Sequence, residues 1–338
     1  MSLLPIPVSS YGADAHGLVC GYRFAAGLPP EPVEGLGAGL PPPPAEGFVW
    51  LHFNLAHAAA EPWLRAHAGL GELFLEALHE GTRSTRIERD GDSLFAVLND
   101  VTFDFGFDAS DVATLWLAVG PRCVVSARRH PLRSVDRLRM AVKRGEPLGS
   151  SVALLDHLLR DQADELQAIV RRAAERLDEV EDAVLAGHHG RHGGELGRLR
   201  RLAVRLQRLL APEPSALMRT LAKPPAWVAA SDLQHLHRAS EEFALVLRDV
   251  AALQERIKLM QDEAATRVAE ENNRSLFVLT MVTVLALPIN LVAGLMGMNV
   301  GGIPLAEHPQ GFWWMLAVIG GLTLGIAGVV IARLRPRE

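Results

Sequence analysis

The last quarter of the chain contains two long apolar runs with no charged side chain. They are residues 275–297, SLFVLTMVTVLALPINLVAGLMG, and residues 312–332, FWWMLAVIGGLTLGIAGVVIA. At about 1.5 Å per helical residue, each is long enough to cross a hydrocarbon core of roughly 30 Å. The pattern predicts a C-terminal two-helix transmembrane hairpin, with an external loop over 298–311 and a basic tail over 333–338.

The first run is not uniformly apolar. Asn273, Thr280, Thr283, Asn290, Gly294 and Gly297 follow one another in steps of 7, 3, 7, 4 and 3. At about 100° per residue these positions share roughly a third of the helix circumference, and Leu276 and Leu287 fall on the same stripe. A polar stripe interrupted by leucines suits a water-lined path with hydrophobic constrictions. Gly, Thr and Asn also let membrane helices approach and hydrogen-bond, so packing accounts for the stripe equally well. A hairpin has no interior, so a path along this stripe requires several copies around it and hence a homo-oligomer with ring symmetry.

Upstream, periodicity changes twice. Residues 1–150 read as a cytosolic α/β domain, with short strands over 18–24, 48–53, 93–99, 112–119 and 123–126. A helical stretch over 61–79 is divided by Gly69 and Gly71, and the Pro- and Gly-rich segment 27–47 reads as a loop. Asp104 and Asp108 read as part of a polar loop between strands. From Pro131 onward the pattern is helical, giving a cytosolic helical hairpin over 151–230. Pro212, Pro214, Pro224 and Pro225 break it before the last long helix. In 231–297, Leu233, Leu236, Ser240, Phe243, Leu247, Val250, Leu253, Ile257, Met260 and Ala264 form a seam of coiled-coil type. No Gly or Pro interrupts 231–287, so one helix on the order of 100 Å is predicted to run from the cytosol into the first span. Pro288 then removes one backbone bond within the span. The predicted fold is thus an α+β cytosolic domain, long helices and the terminal hairpin.

Charge and composition narrow the function. The net charge of −5 on 338 residues argues against nucleic-acid binding. The first residues lack a basic and then an apolar region, so no cleavable signal is expected. Arg274 precedes the first span, and Arg333, Arg335 and Arg337 follow the second. The loop between holds no Lys or Arg, which places both termini in the cytoplasm of a bacterial inner membrane. Trp313 and Trp314 suit an interfacial aromatic belt. Cys20 and Cys123 read as buried free thiols. Neither a phosphate-cradling glycine loop nor a nucleophile elbow occurs, so nothing points to an enzyme or to a bound cofactor. The tract GHHGRHGG carries His188, His189 and His192. Its glycines favour a solvated turn over a helix that would hold His188 and His192 on one zinc ion, and a metal contact is the second reading.

Gly297-Met298-Asn299 at the outer end of the first of two C-terminal spans, with Pro288 upstream and a long helix feeding in, resembles the CorA superfamily of divalent-cation transporters. Asn272-Asn273-Arg274 and Val300-Gly301-Gly302-Ile303-Pro304 look like its ZntB branch, the zinc-transporting members. A more diffuse similarity includes Arg129-His130-Pro131-Leu132-Arg133. The resemblance implies a funnel-shaped homopentamer embedded in membrane lipid, with Gly297, Met298 and Asn299 as the extracellular selectivity ring. It further implies a cytoplasmic ring at Asn273, constrictions at Leu276, Leu279 and Leu287, and lining positions at Thr280, Thr283, Asn290 and Gly294. For the ZntB branch it implies Zn²⁺ as cargo and H⁺ as coupling ion.

The residues themselves are compatible with more than zinc. Between Arg274 and Glu307 no Asp, Glu, His, Cys, Lys or Arg occurs. Bare Zn²⁺ takes His, Cys or carboxylate ligands at roughly 2.0–2.3 Å, so a cation crossing here is expected to be hydrated. The same chemistry suits Mg²⁺, which dehydrates reluctantly. A magnesium, cobalt or nickel channel is therefore the alternative, and a membrane-anchored coiled-coil scaffold or sensor the remote one. Proton coupling has no titratable group in the span to use. Glu307 and His308 in the loop are candidates for it, and for drawing cations to the mouth.

Overall fold

The computed structural model describes residues 12–36, 39–81, 85–106, 108, 111–186, 193–298 and 308–334. They form two compact units, Met1–Gln261 and Asp262–Glu338.

The first unit is built on a seven-stranded sheet: β1 (Leu18–Ala25), β2 (Glu31–Pro32), β3 (Gly47–Asn54), β4 (Arg86–Asp90), β5 (Ser93–Val101), β6 (Val112–Val119) and β7 (Cys123–Arg128). Their order is β2-β1-β3-β7-β6-β5-β4. Only β3 and β7 run parallel; every other neighbour pair is antiparallel. The five strands expected from alternation are present. β2 lies inside the segment read as loop. β4 was hidden by its charge, because RIERD is an edge strand and edges tolerate charged side chains. Gly91, at φ +61°, supplies the left-handed residue that joins β4 to β5.

Helices cover both faces of the sheet. On one face lie α1 (Ala60–His67) and α2 (Glu72–Glu80), the two pieces that Gly69 and Gly71 separate. Phe74, Leu78 and Trp63 pack there against Phe53, Phe95 and Trp116. On the other face lie α3 (Arg133–Lys143), the first half of α4 (Ser151–Leu185) and α6 (Pro212–Leu221). The reading of Pro212 and Pro214 as simple breakers is corrected here: Pro212 opens α6, because the first helical turn needs no N–H from its leading residues. A second apolar core joins the rest of α4 to α5 (Gly193–Leu210) and to α7 (Ala230–Met296) as far as Met260.

A buried polar chain crosses the sheet. Arg128 Nε donates to His52 Nε2 at 2.9 Å, so the His52 hydrogen sits on Nδ1 and is donated to Ser126 Oγ at 2.7 Å. Trp50 Nε1 donates to the same oxygen at 2.8 Å, and Ser126 in turn faces the Leu51 carbonyl at 3.5 Å. Burial, with the Arg128 and Arg139 charges, holds His52 well below its ordinary pKa and keeps it neutral. Cys20 and Cys123 are free, and burial pushes both thiols up to about 11. Asp111 Oδ2 organises the β5–β6 loop by accepting from the Gly106 N–H at 2.7 Å, so Asp104 and Asp108 belong to a structured polar turn.

Candidate functional site

The candidate site is carried by α7. Its sequence favours continuous helix because neither Gly nor Pro interrupts 231–287, and the helix passes Pro288 and ends at Met296. Pro288 has no N–H to give the Val284 carbonyl, so the ladder is one bond short within the apolar run. At the end, the Gly297 N–H donates to the Ala293 carbonyl at 3.0 Å and the Met298 N–H to Leu295 at 3.4 Å. A Cβ at Gly297 would lie 3.3 Å from the Ala293 carbonyl oxygen, closer than side chains ordinarily come. At Gly294 it would meet nothing within 4 Å, so that glycine leaves open space beside the helix.

Apolar side chains in this second unit are turned outward. Leu279 is 63% exposed, Leu287 67% and, on α8 (Gly311–Leu334), Leu324 75%. The most apolar stretch of α7 has none of its residues buried, unlike the core helix of a water-soluble protein. Both α7 and α8 are long and apolar enough to span a membrane.

Exposure along α7 is uneven, and the unevenness is periodic. Met281, Leu285, Ala286, Pro288, Val292 and Met296 are half-shielded, and all but Ala286, which lies to one side, follow one another in steps of four, three, four and four. Asn273, Leu276, Thr280, Thr283, Leu287, Asn290, Gly294 and Gly297 are all exposed. At about 100° per residue the centres of the two stripes lie on opposite sides of the helix. α8 likewise has one half-shielded side, at Met315, Ile319, Gly320, Thr323, Ile326 and Ala327. The residues of the polar stripe are thus open within one copy of the chain, with Ala286 half-shielded at its edge.

Two polar groups on that stripe have a defined hydrogen. Thr280 Oγ1 donates to the Leu276 carbonyl at 2.8 Å and Thr283 Oγ1 to Leu279 at 2.9 Å. Each hydroxyl therefore shows lone pairs, not a donor, to whatever lies beside the stripe. In the loop, His308 Nδ1 accepts from the Gln310 N–H at 3.2 Å, and its carbonyl accepts from Gly311 at 2.9 Å, which sets the start of α8. Asn299, Glu307, His188, His189 and His192 lie outside the described residues. Among the described residues, no three His, Cys, Asp or Glu side chains are gathered as metal ligands.

The sequence reading missed a charged cluster in the first unit. Glu165 on α4 is nearly buried and receives Arg133 and, at 2.5 Å, Arg137, with Arg172 3.7 Å away. The signal was present: Arg133 and Arg137 share one helix face, and Glu165 lies beside the buried positions Ala163 and Leu166.

The family described as CorA-like Mg²⁺ transporter protein matches residues 45–333. Divalent cation transporter CmaX of Pseudomonas aeruginosa is 30% identical over 278 residues, which cover 81% of this chain and 83% of CmaX. Zinc transport protein ZntB of Yersinia enterocolitica is 23% identical over 82% of this chain and 85% of its own length. The solved structure of full-length CmaX superposes with a TM-score of 0.80 at 28% identity, covering 96% of this chain and 99% of CmaX. The CorA magnesium transporter of Methanocaldococcus jannaschii shares the fold, with a TM-score of 0.76 at 19% identity over 94% of this chain and 98% of that one. Matched over most of its length and ending in two apolar helices, the chain belongs to the CorA superfamily of membrane-bound divalent-cation transporters.

Proposed function

We propose that several copies of the chain, five by resemblance to the family, surround a pore lined by the polar stripe of α7, through which a hydrated divalent cation crosses the bacterial inner membrane. The observation that carries this reading is the opposition of the two stripes. One side of α7 is half-shielded within a single copy, while the side bearing Asn273, Thr280, Thr283, Asn290 and Gly294 is open. A ring of copies gives the open side a common axis. Gly297, Met298 and Asn299 form the outer selectivity ring, Asn273 the cytoplasmic ring, and Leu276, Leu279 and Leu287 the hydrophobic constrictions. Both termini face the cytosol.

The proposed cargo is Zn²⁺, driven by an inward proton gradient, and its support is the likeness of Gly297–Pro304 and of Asn272–Arg274 to the zinc-transporting branch. A second reading, Mg²⁺ transport, is favoured by a specific observation: residues 275–306 offer no imidazole, thiolate or carboxylate ligand. Such a path suits an ion that keeps its water. With no titratable group in the span, proton coupling falls to Glu307, His308 or groups on the cytosolic side.

The test is metal uptake into liposomes containing the purified chain, read with zinc-sensitive and magnesium-sensitive dyes, with and without a pH gradient. Zinc flux that rises when protons run with it and drops in Asn299→Ala is the expected result. Magnesium flux indifferent to pH would transfer the chain to the second reading. No flux of any divalent ion would leave the hairpin as an anchor.

A further inference from the structure

α5 carries charge that its own copy of the chain does not balance. Its 18 residues hold five arginines and one glutamate. Arg198, Arg201, Arg205 and Arg208 follow one another in steps of three, four and three, on the side away from the buried Leu199, Leu202 and Leu206. Arg205 is partly shielded and the other three are exposed. Arg198 comes no nearer than 3.7 Å to Glu195, and Arg201, Arg205 and Arg208 have no ion pair among the described residues. The fifth, Arg200, donates to Gln261 Oε1 of α7 at 2.7 Å. Like charges three and four residues apart repel along a helix, so the row disfavours its own helix slightly.

The last turns of α4 carry a row of the opposite sign. Arg256 of α7 takes Asp178 and Glu181, each at 2.6 Å, and Arg176 lies 3.6 Å from Glu195 of α5. Those pairs occupy the sides of α4 that meet its two neighbours. On its outward side Glu175, Glu179 and Asp182 are exposed, in steps of four and three, and have no ion pair among the described residues. Each row is unfavourable alone. Two different faces of opposite sign on one chain make a head-to-tail contact, the kind that closes into a ring.

We infer, on the ring of copies proposed above, that the outward face of α5 docks on the outward face of α4 in the next copy, with Arg198 and Arg201 set against Glu175 and Glu179. Heights along the hairpin select the pairs. Ala173 and Leu202 line the same narrow space, which puts Arg201 near the height of Glu175 and Arg198 between Glu175 and Glu179. Copies related by an axis along α7 meet at equal heights. Lower down, Arg205 comes level with the exposed Arg171, so the pairing belongs to the half nearer the end of α4. An anionic surface of another kind would leave the acidic row of α4 unbalanced, whereas a second copy balances both.

The test uses full-length protein in neutral detergent micelles, with Arg201→Cys and Glu175→Cys in separate, co-expressed copies treated with a short bismaleimide. Separate copies exclude a link within one chain, and burial keeps the thiols of Cys20 and Cys123 protonated and slow to react. A cross-linked dimer is expected in the mixture and in neither variant alone. Adding Arg198→Glu to the first copy should lower the yield several-fold, and adding Glu179→Arg to the second should restore it. Dimer from one variant alone, as much dimer with Arg208→Cys in place of Arg201→Cys, or a yield indifferent to Arg198→Glu would each overturn the docking. No dimer in a protein that light scattering shows to be assembled would overturn it and leave the ring standing, while a protein present as single copies would overturn both. No dimer, with the thiol of Arg201→Cys shielded from a soluble maleimide by phosphatidylglycerol vesicles, would assign α5 to anionic lipid instead.

Discussion

Thr283 Oγ1 gives its only hydrogen to the Leu279 carbonyl at 2.9 Å, and Thr280 repeats the bond one turn earlier, at Leu276 and 2.8 Å. Waters held by a cation point their hydrogens away from it, so a hydrated cation needs acceptors along its path. A threonine bonded back to its own helix supplies a lone pair where a free hydroxyl would offer either a donor or an acceptor. Thr283→Val keeps the shape and removes the acceptor, and Thr283→Ser keeps it. In the liposome assay Thr283→Val is expected to reduce divalent-cation flux by roughly tenfold, on the scale of a lost hydrogen bond to a charged partner, with Thr283→Ser near wild type. Equal flux in all three would remove Thr283 from the lining.

Leu287 is 67% exposed within one copy of the chain, so its side chain contributes little to that copy's own stability. In the ring proposed above it would form a hydrophobic constriction that holds back water. Leu287→Ser is expected to wet that constriction and raise flux in liposomes, with the melting temperature of the purified protein unchanged. An unaltered flux would mean the constriction lies elsewhere, with Leu276 and Leu279 the next positions to replace.

What could be read in the sequence was what repeats. Leu236, Phe243, Val250 and Ile257 stand one heptad apart, and each is at most 2% exposed, as a coiled-coil seam requires. The polar stripe of α7 was legible for the same reason. Its openness was not, because that depends on which other positions are shielded in three dimensions. Edge strand β4 escaped because its alternation is masked by charge: Arg86 lies over the Phe95 ring, 5.3 Å from its centre, and so packs as an apolar residue would. The bond between Asp100 and Ser134 joins residues 34 apart, a pairing no local pattern reveals. The clamp on Glu165 was hidden in the same way.

Glu165 is 4% exposed and has Arg133 and Arg137 on its two oxygens. Removing one partner of a buried ion pair leaves the other charges uncompensated, which costs about 3–5 kcal/mol. Arg137 is 45% exposed and can turn to water, which places Glu165→Ala at the lower end. At roughly 2–4 °C per kcal/mol for a unit of this size, its melting temperature should fall by on the order of 10 °C. Glu165→Met, which replaces the charge by an apolar chain of similar length, should lose as much while the arginines remain. Restoring stability with Arg133→Met and Arg137→Met in addition would show that stranded charge, not volume, sets the loss.

Asp100 is the group through which pH should act most plainly on the first unit. It is fully buried, and burial pushes its pKa from 3.8 up to about 6. Its oxygens still accept from the Val101 N–H at 2.7 Å, the Ser134 N–H at 3.0 Å and the Ser134 hydroxyl at 2.6 Å, which limits the rise. Between pH 3.8 and about 6 the folded chain holds a proton here that the unfolded chain has released. Stability from this group therefore falls as pH rises through that window, by about 3 kcal/mol in all. His52 acts with the opposite sign. Held neutral when folded, it takes up a proton only on unfolding, so its contribution is lost as pH falls below 6.5. Asp100→Asn abolishes the first dependence and leaves the second. Unfolding measured from pH 4.5 to 7.5 should show the variant losing stability relative to wild type toward the acid end, with the gap closing toward neutral pH. A gap that stays constant across the range would mean that Asp100 does not change its protonation between the folded and unfolded chain.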